Sequence, residues 1–162
     1  GVNALRANLG STRQEAKEFY DHYFQVFSQI KSYLESLKDG ARQNGYTVTH
    51  FGRRRYFPAI TSLAPPLRAE QERMAMNAPL QGTAADIVKL AMIKVDKLIQ
   101  EHGWRDQAFL LLQIHDELLY EVKIGLVNEF MPAVKEVMEH IIDGPVPFTV
   151  NAAAGPNWAE LD

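Results

Sequence analysis

The sequence predicts an α+β protein in which helices pack on a small antiparallel sheet. Three observations indicate this class: long stretches with apolar residues at every third or fourth position, two short apolar runs around three polar residues, and short β-branched stretches. The chain has 162 residues, of which 46% are hydrophobic, so it can bury a sizeable core. This composition excludes a disordered protein.

The first predicted helix covers residues 12–42. Ser11 or Thr12 can cap its start, and Gly45 ends the pattern. An aromatic-rich stripe of this kind is more typical of core packing than of a cofactor site. The stripe consists of apolar residues at threes and fours: Ala16, Phe19, Tyr20, Tyr23, Phe27, Ile30, Leu34 and Leu37.

The middle of the chain combines a strand, a basic cluster and a second helix. Residues 46–49 are rich in β-branched side chains and predict a short strand, which the basic cluster 51–58 follows. A helical pattern then covers residues 67–101. Pro79 and Gly82 lie within it, and we expect them to kink or divide this helix.

The last third of the chain predicts a β-hairpin, a third helix and a final strand. The apolar runs 109–114 and 118–122 flank three polar residues, as in a hairpin. Residues 126–142 repeat apolar side chains with a helical period, and two prolines follow. Residues 148–151 are then predicted to form a strand.

Composition also limits the classes of function. The chain has no cysteine, which excludes a disulfide scaffold and thiolate-bound zinc or iron–sulfur sites. It has neither an apolar run of the ~20 residues that a membrane span needs nor a secretory signal pattern, so we expect a cytoplasmic protein. Residues 1–77 carry 11 Lys and Arg against 7 Asp and Glu, whereas residues 78–162 carry 6 against 13. The first part would suit a polyanion and the second a divalent cation, unless the imbalance is a chance distribution over solvated faces.

The most distinctive local feature is the acidic pair Asp116 and Glu117, which follows His115 between the two apolar runs. Adjacent carboxylates repel each other, and a hard cation such as Mg²⁺ would relieve that repulsion. The alternative is a solvated turn without a ligand. His115 by itself is more typical of a hydrogen-bonded structural residue than of a metal ligand.

A second candidate site is the set Arg73, Asn77 and Gln81, spaced four residues apart. On a continuous helix they would form a slanted stripe. Arginine suits a phosphate, and amide donors in the minor groove can sense the shape of a base pair without reading sequence. The alternative is a polar face directed at solvent.

The third candidate is Arg53, Arg54 and Arg55, flanked by aromatic residues. Such a cluster can grip a nucleic-acid backbone and stack on sugars or bases. Arginine triplets also serve as localisation signals or partner-facing patches.

Together and in this order, these stretches resemble the C-terminal part of family A DNA polymerases. The resemblance extends over essentially the whole chain, and its middle string and the His-Asp-Glu hairpin, which is similar to the family's motif C, are highly specific. The matching stretches are Gly45-Tyr46, residues 49–56, 72–86 and 113–118, and Gly155 with Trp158.

The resemblance implies template-directed transfer of a nucleotide to a primer 3′-hydroxyl, assisted by two Mg²⁺ ions. It implies that Asp116 is one of the two main metal-binding aspartates, that Glu117 supports it, and that His115 lies near the primer terminus. Family members act on primer–template DNA and deoxynucleoside triphosphates, so these are the implied partners.

The same resemblance gives the other candidates a role on DNA. It implies that Arg73, Asn77 and Gln81 line the palm, contact the template–primer and probe the minor groove near the new base pair. It also implies that the cluster 53–55 contacts the template or braces that surface.

The resemblance further implies a C-terminal piece of a polymerase. Residues 1–66 would be the end of the fingers and its junction, and residues 67–162 the end of the palm. The family's other metal-binding aspartate belongs to an earlier motif that does not occur here. We therefore expect half a metal site, dependence on an upstream polypeptide, no activity of the 162-residue piece by itself, and an exposed apolar patch.

Three other functions stay open from the residues. One is a non-catalytic polymerase remnant that binds DNA, a second is a metal-dependent hydrolase that uses the His-Asp-Glu turn, and a third is a purely structural helical domain. The other four histidines, His22, His50, His102 and His140, show no ligand-like spacing.

Overall fold

A computed structural model describes residues 1–161 of the chain. These residues form five α-helices and two antiparallel two-stranded sheets, which confirms the predicted α+β class. The elements are α1 (Val2–Leu9), α2 (Arg13–Val26), α3 (Ser28–Asn44), β1 (Tyr46–Val48), β2 (Arg54–Tyr56), α4 (Pro65–Glu101), β3 (Ala108–Ile114), β4 (Glu117–Val122) and α5 (Val127–Glu139), with short 3-10 turns at Ile124–Leu126 and Trp158–Glu160.

The chain divides into two compact units, Gly1–Leu80 and Gln81–Asp162. The predicted division into a fingers part, 1–66, and a palm part, 67–162, stays a prediction, and its final residue lies outside the described residues. No helix in the described part is both long enough and apolar enough to span a membrane.

The single helix predicted over residues 12–42 is wrong, because the structure has two helices there. Phe27 lies between them with φ −102° and ψ 55°, outside the helical region. Its N–H still donates to the carbonyl of Tyr23, while its own carbonyl accepts from Ile30 to begin α3. The apolar spacing of three and four residues continues across this break, so periodicity could not detect it.

The aromatic stripe of α2 and α3 is largely exposed. Ala16 is fully buried, but the exposed fraction of Phe19 is 56%, and Phe27 and Ile30 are also exposed. The expectation of core packing is therefore wrong for most of this stripe. The exposed side chains agree with the apolar patch expected of a polymerase piece.

Helix α4 continues through Pro79 without dividing. The proline removes one backbone hydrogen bond, yet Ala75, Ala78 and Pro79 are all buried, so packing around the proline stabilises the helix. The boundary between the two compact units falls directly after Leu80, one residue beyond Pro79. The structure therefore excludes the division of this helix, and the alternative, a kink at Pro79 or Gly82, stays a prediction.

The first unit contains a short hairpin and a small core. The predicted strand forms as β1, and it pairs with β2, which the arginine cluster itself supplies. Phe57 follows β2 and is 1% exposed. The core of this unit consists of Ala41, Phe57, Ile60, Ala75 and Ala78.

The second unit buries its core between α4, the β3–β4 hairpin and α5. Trp104 and Phe130 are each 5% exposed, and their rings meet edge to face with centroids 5.8 Å apart. The third helix is shorter than predicted, because a 3-10 turn takes up its start and α5 ends at Glu139. The buried set is Val95, Ile99, Trp104, Ala108, Leu126, Phe130 and Val134.

The strand predicted over residues 148–151 is wrong. The structure assigns no strand to these residues. The N–H of Val150 donates to the Glu139 carboxylate, at 2.8 Å, instead of joining a ladder. Pro145 and Pro147, which directly precede the segment, cannot donate to a ladder either.

A candidate metal and nucleic-acid site

The β3–β4 hairpin confirms the predicted pair of apolar runs. Its pairing is antiparallel and contains one irregularity: Leu110 faces Tyr120, but Leu112 faces Leu119, so Leu111 is an extra residue in β3. Such a β-bulge increases local twist and shifts which side chains share a face beyond it. The last pair of the ladder is Ile114 and Glu117, which leaves a two-residue turn.

The turn consists of His115 and Asp116, with Glu117 as the first residue of β4. His115 has φ 51°, a left-handed conformation that is uncommon for a residue other than glycine. The side-chain amide of Gln113 donates to the carbonyl oxygen of His115, at 2.6 Å. The three predicted site residues of this region therefore lie together at one hairpin tip.

The two carboxylates are open to solvent, as a metal-binding role requires. His115, Asp116 and Glu117 are all exposed. Asp116 and Glu117 also line a groove of about 730 Å³, whose other walls include Phe130 and the segment 149–155. The acidic pair is therefore accessible to a cation instead of being buried among apolar side chains.

The base of the hairpin is anchored in the aromatic core of the second unit. The ring of Tyr120, on β4, meets the ring of Phe130 with centroids 5.4 Å apart. Burial, with a smaller contribution from the negative charge of Asp96, raises the pKa of the Tyr120 hydroxyl to about 12. The hairpin thus packs on the aromatic core through Tyr120, while its tip is exposed to solvent.

The donor set at the tip is incomplete for a metal ion. Among residues 1–161, no group of three or more His, Cys, Asp or Glu side chains could hold an ion. Mg²⁺ takes six oxygen ligands and is commonly held by one or two carboxylates together with water and substrate phosphates. Asp116 and Glu117 therefore fit a contribution to a Mg²⁺ site, but not a complete one.

The predicted polar stripe lies on consecutive turns of α4. Arg73, Asn77 and Gln81 are exposed, and the helix is continuous over all three positions. Arg73 and Asn77 belong to the first compact unit, whereas Gln81 is the first residue of the second. The structure therefore presents their polar groups to solvent on one helix.

The arginine cluster forms a cationic strand edge in the first unit. The guanidinium of Arg54 lies 4.6 Å from the ring centroid of Tyr46, and that of Arg55 lies 5.8 Å from the ring of Phe57. Arg53 precedes the strand, and its N–H donates to the hydroxyl of Thr49. Exposed arginines braced by aromatic rings have the donors and the charge that phosphates require.

A hydrogen bond with Tyr56 also raises the pKa of the Arg54 guanidinium above its ordinary value, with smaller electrostatic contributions from Tyr46 and Tyr56. Arginine is protonated at neutral pH in any case. The positive charge of this strand is therefore permanent.

Comparison with known proteins identifies the family. The family model described as DNA polymerase family A matches residues 1–160. The chain belongs to DNA polymerase family A. It is 43% identical to DNA polymerase I of Rhizobium leguminosarum, over 99% of this chain and 16% of that protein. It is 44% identical to DNA polymerase I of Bacillus subtilis, over 95% of this chain and 17% of that protein.

A solved structure of the same family has the same fold. The POL domain of Pol1 from M. smegmatis, in complex with DNA primer-template and dNTP, superposes with a TM-score of 0.92 at 41% identity. The match covers 99% of this chain and 28% of that one. This family A chain thus spans about a sixth of the length of the curated DNA polymerase I proteins that it matches.

Sequence reasoning found the acidic pair and the arginine cluster but missed two parts of the hairpin. It missed the bulge at Leu111, because a run of apolar residues conceals a change of register. It also missed the contact from Gln113 to the turn. The polar Gln113 at the end of an otherwise apolar strand was the signal that could have revealed it.

Proposed function

We propose that this chain is the C-terminal portion of a DNA-directed DNA polymerase. It supplies half of a two-metal site and needs upstream polypeptide for catalysis. Its partners are primer–template DNA, deoxynucleoside triphosphates and that upstream polypeptide, and its place is in the cytoplasm, on the nucleoid.

The observation that carries this proposal is the exposed acidic pair on the β3–β4 hairpin of a family A chain. Two adjacent carboxylates repel each other and contribute little to folding at an exposed tip, so a ligand that neutralises them accounts for their position. Asp116 and Glu117 would hold Mg²⁺. When bound, Mg²⁺ would lower the pKa of a primer hydroxyl and neutralise phosphate charge.

The other candidate residues would bind and orient DNA. Arg73 can donate to a phosphate, and the amides of Asn77 and Gln81 can reach base edges in a minor groove. His115 lies next to Asp116 in the turn and would contact the primer end.

Strand β2, which carries Arg54 and Arg55, supports a second contact with nucleic acid. Arg54 and Arg55 are exposed and braced on aromatic rings, so they can neutralise backbone phosphates without reading sequence. The solved relative contains primer-template DNA and dNTP. This relationship supports the same partners for the complete protein proposed here.

Primer extension tests the proposal. In the complete polymerase, Asp116→Ala should reduce template-dependent extension by about 10²-fold or more, the loss typical of removing a preorganised charge from a reacting centre. Primer–template affinity should change little. The matched control is Asp106→Ala, which removes an exposed aspartate from the same unit, away from the hairpin turn. Its extension rate should equal that of the wild type.

Three outcomes would contradict the proposal. Template-dependent synthesis by residues 1–162 alone, above an Asp116→Ala control, would refute the half site. Equal losses of binding and rate in Asp116→Ala would indicate a structural aspartate. Salt-dependent DNA binding by the complete protein without any metal-dependent extension would favour a non-catalytic binding remnant.

A further inference from the structure

The side chain of Gln113 makes an unusual contact with the turn that follows it. Its Nε2 donates to the carbonyl oxygen of His115 at 2.6 Å, only two residues farther along the chain. This oxygen belongs to the peptide that joins His115 to Asp116. Any rotation of that peptide changes the direction in which the Asp116 side chain leaves the turn.

The turn needs such a contact because its backbone is unfavourable. His115 has φ 51°, and two-residue hairpin turns that require a positive φ favour asparagine, aspartate or glycine. No glycine lies between Ile114 and Glu117. An uncommon backbone conformation persists where its surroundings hold it, and here a side-chain hydrogen bond reaches that same residue.

The β-bulge explains why Gln113 is available for this contact. If the pairing of Leu110 with Tyr120 continued without an extra residue, Gln113 would face Glu117. Because Leu111 is inserted, Gln113 faces Leu118 instead, and Ile114 closes the ladder with Glu117. The bulge therefore places a side chain with two N–H donors at the start of the turn.

We propose that Gln113 is a positioning residue whose side-chain amide fixes the peptide between His115 and Asp116 and so sets the direction of the Asp116 carboxylate. The proposal rests on the proposed function, in which Asp116 holds a divalent cation. This role requires no contact between Gln113 and the cation or the substrate. It acts through the backbone of the turn.

Gln113→Met is the appropriate variant, because methionine keeps the length of the side chain and removes its donors. Gln113 is exposed, so the change should leave the core intact. Gln100→Met is the matched control. Gln100 is an exposed glutamine of the same unit, and its Oε1 accepts from Arg105 at 3.0 Å.

The experiment uses the complete polymerase and two readouts that do not require activity. Hydrogen exchange of the Glu117 amide, whose residue closes the ladder with Ile114, should be about fivefold faster in Gln113→Met, the ratio that corresponds to one lost net hydrogen bond. The dissociation constant for Mn²⁺, measured by electron paramagnetic resonance without nucleotide, should rise by a similar factor. Both values should stay at the wild-type level in Gln100→Met. Gln113→Lys, which retains an N–H donor, should restore slow exchange.

Unchanged exchange in Gln113→Met would overturn the proposal. Faster exchange with unchanged Mn²⁺ affinity would overturn it too, since the turn would then loosen without affecting the carboxylate. Failure of the proposed function gives a different result: Asp116→Ala would then bind Mn²⁺ as the wild type does. In that case the exchange rates still decide whether Gln113 holds the turn.

Discussion

The two β-hairpins of this chain present opposite charges by different means. In β1–β2 the charged groups are on the strand, where Arg54 lies against the ring of Tyr46 and Arg55 against that of Phe57. Gly52, with φ 85°, supplies the left-handed residue of its loop. Each guanidinium group is therefore held against an aromatic ring. Glycine adopts the left-handed conformation of the loop with little conformational strain.

In β3–β4 the charged groups are in and beside the turn, where no aromatic ring braces them within the described residues. A histidine occupies the left-handed position there, and the side chain of Gln113 holds the backbone. A strand can thus hold a positively charged side chain in place by packing it against an aromatic ring, whereas the direction of a carboxylate at a hairpin tip depends on the backbone geometry of the turn.

The largest expected effects come from the aromatic residues beneath each hairpin. Phe130→Ala should destabilise the second unit by about 3–5 kcal/mol, because truncation of a buried phenylalanine leaves a cavity. Phe57→Ala should cost a similar amount in the first unit. Hydrogen exchange in the complete polymerase should then speed up in β3–β4 for the first variant and in β1–β2 for the second. If exchange became equally faster in both hairpins in either variant, the expectation that the two hairpins are stabilised independently would be wrong.

The positive charges of Arg54 and Arg55 on β2 should affect DNA affinity and not the rate of nucleotide addition. Arg54→Gln combined with Arg55→Gln should weaken primer–template affinity roughly tenfold at moderate salt and flatten its dependence on the logarithm of salt concentration by about 1–2 units. The rate at saturating DNA should stay near wild type. Lys89→Gln combined with Lys97→Gln, on the exposed side of α4, is the control. A loss of rate without a change in salt dependence would show that this strand does not contact phosphates.

Much of the fold and of the candidate site could be predicted from local sequence. The period of apolar residues predicted α4 and α5, and the two apolar runs predicted the β3–β4 hairpin. The acidic pair stood out because two adjacent carboxylates interrupt an apolar stretch. These features depend on neighbours in the chain, which is why they were accessible without a structure.

The remaining features depend on packing or register. The break at Phe27 keeps the apolar spacing on both sides, so the pattern contains no sign of it. Burial around Pro79 overrides the expected division of α4. The bulge at Leu111 is hidden in a run where every residue is apolar, and only strand pairing reveals it. At Pro79 and at Leu111, packing and strand pairing decide what the local pattern leaves open.

The stabilisation that Tyr120 gives to the β3–β4 hairpin should decrease at alkaline pH. The pKa of Tyr120 is raised to about 12 from an ordinary value of 10.0, mainly by burial. The folded state disfavours the ionised tyrosine. The stabilisation provided by the neutral Tyr120 is therefore fully present below pH 10 and declines as pH rises toward 12. The tyrosine is only partly buried, so the loss should be about 1 kcal/mol after allowance for solvent screening. Tyr120→Phe should remove this pH dependence in denaturation curves measured between pH 9 and pH 12.

The smallest effect is the opposite one, a weakening of the first unit in acid. Glu72 on α4 accepts hydrogen bonds from Arg42 on α3, at 2.7 Å and 3.3 Å, and this pair lowers the pKa of the Glu72 carboxyl below 4.5. A lowered folded-state pKa means that the stabilisation is present above pH 4.5 and declines as pH falls through the folded value. Because Arg42 is partly exposed, the pair should be worth about 1 kcal/mol or less. Glu72→Gln should therefore flatten the acid side of the stability curve and leave the alkaline side unchanged. Glu70→Gln, which changes an exposed neighbour, should leave both sides of the curve as in the wild type. If Glu72→Gln altered the alkaline side as well, the acid and alkaline sensitivities would not belong to separate units, since Tyr120 and Glu72 would then be coupled.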